Sequence, residues 1–283
     1  MSRLDRYTGA ARVCLLVGTI VAASAPAFAI DPGPQNVVRE YCRLDANSAR
    51  LIAGRWRDVA PLVAWPLDPA WDQVLFITGY QIGTTRTLED GQLAVDVDYG
   101  VVGEATAYGF EAVSYTDRVT FVLATPDRVH WQIVAPMIAP RVFGSLAPAD
   151  EIVSTLKNGR GSFVPSSLLV NQLMKAAGWN VPYERAADLL SGANYARTSS
   201  GQPGDIVVYS QDGLAYHAGI LSGRRRVVSS TLNAGIVRTT LNAFLGEIHY
   251  LRLIAPEDLS PRSRLRDGEG REESPSPPSR DCR

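Results

Sequence analysis

Twice along this chain, helical segments striped with apolar residues are followed by a run of strand-like segments. That order limits the fold more than any other feature. The first block opens with VVREYCRLDANSARLIAGRW at 37–56, which reads as an amphipathic helix, and RDVAPLVAW continues as a shorter one. QVLFITGYQIG, QLAVDVDYGVVG, DRVTFVLATP and DRVHWQIVAPMIAPRV then read as strands. LAVDVDY alternates with period two, and RVHWQIVAP is expected to place Val129, Trp131 and Ile133 on one face, leaving His130 at the surface or rim. In the second block SSLLVNQLMKAAGW carries a stripe of Leu169, Leu173, Met174 and Ala177 and is closed by Gly178. PYERAADLLSGANY reads as another helix with Pro182 in its first turn, and DIVVYS, YHAGILS, RVVSS and HYLRLI read as strands. Helices followed by antiparallel strands, twice, predict an α+β chain of two domains.

The remaining segments divide the chain. Residues 1–29 have Arg3, Arg6 and Arg12, an uncharged apolar stretch VCLLVGTIVAASA and an Ala27-Phe28-Ala29 cleavage pattern, which is the layout of a signal peptide. The mature protein is therefore expected to be secreted or periplasmic, with no stable membrane span after cleavage. The first domain is expected over 30–146, a linker over 147–162, the second domain over 163–255 and a disordered Pro-, Ser- and charge-rich tail over 256–283. Cys42 falls on an apolar helix face and reads as a core residue.

Charge and motif content exclude several classes of function. A formal net charge of −1 gives no basic surplus for nucleic acid. No glycine-rich phosphate loop follows a strand. Three histidines, with no paired cysteines or acidic cluster, give no metal-site spacing, and nothing calls for a cofactor.

The second block resembles the NlpC/P60 family of papain-like peptidases. The residues that carry the likeness are Pro203-Gly204-Asp205, which starts a strand, and His217-Ala218-Gly219-Ile220 on the next one. The resemblance implies a nucleophile at the start of a helix, a base at His217 and an orienting residue at Ser229. It puts Ser166 where the family has its cysteine. A helix N-terminus favours a thiolate, but a serine hydroxyl is a far weaker nucleophile. The aspartate that precedes the family's nucleophile is Pro165 here, and the orienting position is a serine. The first block is similar to NTF2-like cones, in which helices pack into a curved sheet. The expected fold is thus an NTF2-like cone followed by a papain-like domain. Its expected role is that of a catalytically degenerate binder of peptidoglycan stem peptide or a periplasmic protein. Two alternatives stay open: an active peptidoglycan hydrolase using Ser166 and His217, and ligand or partner binding by the NTF2-like domain. Without catalysis, Ser166 reads as a helix N-cap and His217 as a buried groove residue.

Overall fold

The computed structural model describes residues 33–254, apart from 53, 146, 147, 161 and 162. The segments read as a signal peptide and a tail, with Cys14 and Cys282, lie outside the described residues.

Helix α1 spans Pro34–Ala46, with Pro34 in its first turn and Val37, Val38, Tyr41, Cys42 and Leu44 buried along one face. It stops ten residues before the sequence reading expects. The Asn47 side chain donates to the Arg43 carbonyl, and Ser48 takes a positive φ of 61°, so the chain leaves the helix. A short helix, α2, follows at Trp56–Val59.

Strands β1 (Gln73–Thr87), β2 (Leu93–Thr106) and β3 (Gly109–Ala124) form long antiparallel hairpins. Strand β4 (Gln132–Ala135) pairs with β3, and β5 (Arg141–Phe143) lies parallel to β1, giving a five-stranded sheet in the order β4-β3-β2-β1-β5. Three register shifts in the β1–β2 ladder bend this sheet. The strand expected through Arg128–Trp131 is a turn instead. Asp127 accepts hydrogen bonds from the backbone of Val129 and His130 and from the His130 ring, and Arg128 has φ of 62°. Val129 is therefore exposed, while Ile133 alone of the expected trio is fully buried. His130 is exposed, as expected.

The segment read as a linker carries a helix, α3 (Ala149–Asn158), whose Leu156 packs with Val74, Phe76 and Val142. Helix α4 spans Ser166–Ala176 and α5 only Ala186–Leu189. The buried stripe of α4 is Leu169, Val170 and Met174, with Leu173 left largely exposed. The helix expected from Pro182 is cut to one turn because the chain before it is tied down. Asn171 donates to the carbonyls of Val181 and Pro182 at 3.0 and 2.9 Å.

A second sheet takes the order β10-β9-β8-β7-β11-β6. It is built from β6 (Tyr195–Thr198), β7 (Ile206–Gln211), β8 (Leu214–Gly223), β9 (Arg226–Thr231), β10 (Gly235–Thr240) and β11 (Glu247–Leu253). One face, with Ile206, Val208, Ala218 and Leu251, packs under α4 and α5. The other, with Val207, Tyr209, Tyr216, Leu221 and Val227, joins the core that also holds α1 and the first sheet. The two halves are thus knitted by one apolar cluster. Backbone hydrogen bonds strengthen the seam, from Ala70 to Ser230 at 3.1 Å and from Leu232 to Asp68 at 2.8 Å. The molecule is a mixed α+β fold with two sheets. Among the described residues, no helix is long and apolar enough to cross a membrane.

Candidate functional site

The three residues singled out by the sequence are neighbours in space, and all three are fully buried. Ser166 is the first residue of α4, and its N–H donates to the Ala70 carbonyl at 2.8 Å. Its Oγ accepts a hydrogen bond from the Ala218 N–H at 3.2 Å, so it touches the backbone next to His217. It is not an N-cap. Pro165 holds that position and supplies no side-chain bond. The capping work falls to Asp72, which arrives from far along the chain. Its carboxylate accepts from the Ser167 N–H at 3.2 Å, from the Ser167 hydroxyl, and from the Ala186 N–H at 2.9 Å. Burial pushes the Asp72 carboxyl above its usual range, and these donors pull it back.

His217 sits on β8 opposite Tyr209 of β7. Its neighbour Ala218 belongs to the cluster beneath α4, whereas Tyr209 belongs to the core on the other face. His217 follows Tyr209, so its ring lies across the sheet from the helix that carries Ser166. There it is boxed by aromatic rings, with centroids at 4.1 Å to Phe244, 5.7 Å to Tyr209 and 6.4 Å to Tyr216. Neither ring nitrogen has a hydrogen-bond partner. Burial lowers its pKa to about 3, so the ring is neutral at physiological pH.

Ser229 pairs with Gly219 of β8 and Val237 of β10, and its hydroxyl is also without a partner. The strands approach so closely there that a Cβ on Gly219 would meet Val227 Cγ1 at 2.4 Å. The fold brings the three positions together but forms no hydrogen bond among them. An acting Ser–His pair needs the hydroxyl within about 3.2 Å of a ring nitrogen. His249 is placed structurally, its Nε2 2.7 Å from the Ser210 hydroxyl.

Sequence reasoning missed a buried charge network inside the first sheet. Arg50 makes a two-pronged contact with Asp68 at 2.7 and 2.8 Å and lies 3.5 Å from Asp45. Arg141 pairs with Asp117 and stands over the Tyr99 ring at 4.6 Å, and its backbone N–H donates to Asp45. Burial raises the Asp45 pKa to about 6 against the pull of Arg50 and Arg141. These groups come from separate elements, so no local spacing in the sequence announces them. Arg141 and Asp117 also line a cleft of about 340 Å³ between the first sheet and the β7–β8 hairpin, with Trp71 and Tyr216 on its wall. Among the described residues, no group of three or more His, Cys, Asp or Glu could hold a metal ion.

No known protein family matches the chain, and neither does any curated protein sequence.

Proposed function

We propose that this chain is an exported, catalytically degenerate NlpC/P60-like protein, with an NTF2-like first domain, that binds cell-wall peptide or a periplasmic partner. The sequence likeness at Pro203-Gly204-Asp205 and His217-Ala218-Gly219-Ile220 supports the family reading. So does the placement of the α4 N-terminus against β8. The observation that carries the loss of catalysis is the state of His217, which is sealed among aromatic rings, has no partner and lies across the sheet from α4. A base held that way can neither take a proton from Ser166 nor pass one to a leaving group.

The test is a digest of bacterial sacculi by the mature chain and its Ser166→Cys variant, read by mass spectrometry, beside co-sedimentation of the chain with the same sacculi. The expected result is retention on sacculi without released stem peptides from either protein. Cleaved stem peptides from the native chain would overturn the proposal and restore serine as a working nucleophile.

A second reading gives the first domain the ligand-binding role, at the cleft its sheet forms with the β7–β8 hairpin. The cleft beside Arg141 favours it, because it is open where the Ser166–His217 region is closed.

A further inference from the structure

We infer that the arginine hairpin between β8 and β9 is a docking surface for an acidic segment of this same chain, residues 267–273, which read DGEGREE. The contact involves neither the Ser166–His217 region nor the cleft beside Arg141.

Gly223 pairs with Arg226, so β8 and β9 are joined by a tight turn made of Arg224 and Arg225. Arg226 stands opposite Thr240 of β10, which puts Arg238 diagonal to it on the same face of the sheet. Arg224, Arg225, Arg226 and Arg238 are all exposed. Arg238 donates from Nε to the Ser222 hydroxyl at 3.1 Å. Among the described residues, no carboxylate pairs with any of these arginines. Asp205, at the same end of the sheet, is already held by Arg252 at 2.8 and 2.9 Å. Like charges crowded at one hairpin repel, so the surface favours an acidic partner.

The course of the chain says which partner. Leu251, Ile206, Ile220, Val228 and Arg238 form one row across β11, β7, β8, β9 and β10. From that row β11 runs towards the same end as the hairpin, and the described residues end there at Ile254. In the sheet order β9 and β11 are three strand spacings apart, about 14 Å. Asp267 lies thirteen residues beyond Ile254. That length spans up to about 45 Å when extended, so the segment reaches the hairpin with slack. It carries Asp267, Glu269, Glu272 and Glu273 against Arg271 alone, which matches the arginines in sign and number. Arg262, Arg264 and Arg266 lie before it and take no part in the contact. Glu257 and Asp258 come sooner but bring only two charges. Exposed ion pairs are weak one by one. A tether raises the effective concentration to the order of millimolar, so a contact too weak between separate molecules becomes populated.

The probe is the full mature chain labelled with ¹⁵N, carrying Cys282→Ser and a nitroxide on Ser274→Cys, with Cys42 buried and unlabelled. In about 20 mM salt the amide signals of Arg224, Arg225 and Arg226 should lose about half of their intensity, and about 0.5 M salt should restore them. Asp267→Asn with Glu269→Gln, Glu272→Gln and Glu273→Gln should restore them in low salt. So should Arg224→Glu with Arg225→Glu and Arg226→Glu. Combining that hairpin with lysine at positions 267, 269, 272 and 273 should bring the loss back, which simple nearness of the tether does not explain. Full intensity in low salt overturns the inference. So does a loss that survives high salt or neutralisation. A loss seen only between separate spin-labelled and ¹⁵N-labelled molecules overturns it in favour of a second copy. If the label has no effect but phosphatidylglycerol vesicles broaden the hairpin signals, the surface faces an anionic membrane and the inference falls.

Discussion

His217 and Phe244 stand ring to ring, with centroids 4.1 Å apart, and this contact closes the histidine off from solvent. Phe244 is held over it by the two residues that follow. The Tyr216 hydroxyl donates to the Leu245 carbonyl at 2.7 Å, and Gly246 turns with φ of 92° against Ser210. A residue that the sequence marks as a base is thereby packed as a core aromatic.

That packing has a sign in the pH dependence of stability. The folded-state pKa of His217 is lowered to about 3, below the unfolded value near 6.5. Its contribution is fully present above pH 6.5 and is lost as pH falls towards 3, because the unfolded chain protonates first. Asp45 works the other way. Its folded pKa is raised to about 6, so stability falls as pH rises from about 4 to 6. A His217→Leu variant keeps the Asp45 contribution and loses the histidine's. Denaturant unfolding should therefore show the native chain losing about 2 kcal/mol relative to the variant between pH 7.5 and pH 5. A difference independent of pH would place the ring in contact with water.

Asp72, not Ser166, should dominate the stability of the α4 N-terminus. Replacing it with alanine orphans the buried N–H groups of Ser167 and Ala186 and the Ser167 hydroxyl. The expected cost is about 3 kcal/mol, against about 1 kcal/mol for Ser166→Ala, which frees one N–H at Ala218. Urea denaturation of the two variants checks the ranking.

Gly246→Ala should loosen the turn that carries Phe244. A Cβ there would meet the Ser210 carbonyl oxygen at 2.0 Å, in a backbone conformation that alanine resists. The expected loss is at least about 2 kcal/mol, read by urea denaturation, with increased solvent access at His217.

Cys42 should be inert in the folded protein. Its thiol is 1% exposed, lies 3.0 Å from the Tyr99 hydroxyl and is pushed up to about 12 by burial. In a chain carrying Cys14→Ser and Cys282→Ser, iodoacetamide should label Cys42 about a thousandfold more slowly before unfolding than after.

The strands of the second sheet that were legible in the sequence are those with short apolar runs, such as Ile206 to Tyr209 in β7 and Val227-Val228 in β9. Tyr195–Thr198 and Gly235–Thr240 escaped notice because both are edge strands with polar residues facing water. The helix expected after Pro182 failed for a tertiary reason, since Asn171 fastens the chain in an extended form. At the site, the sequence located Ser166, His217 and Ser229 as neighbours but could not tell which face of the sheet His217 takes. Side chains alternate along a strand, so a shift of one residue exchanges the faces. The β7–β8 register slips between Tyr209 and Ser210, and no residue pattern announces that slip. The Asp45–Arg50–Asp68 network was illegible for the same kind of reason, because only the closed fold makes neighbours of those charges.

The most direct test of the central claim is an NMR titration of the His217 ring nitrogens in the mature chain, with His130 and His249 assigned by substitution. The account predicts that the His217 ring stays neutral from pH 8 down to about 4. An inflection for His217 near pH 6.5 or above would contradict it. The ring would then be open or paired with a carboxylate, and catalysis by Ser166 would return to consideration.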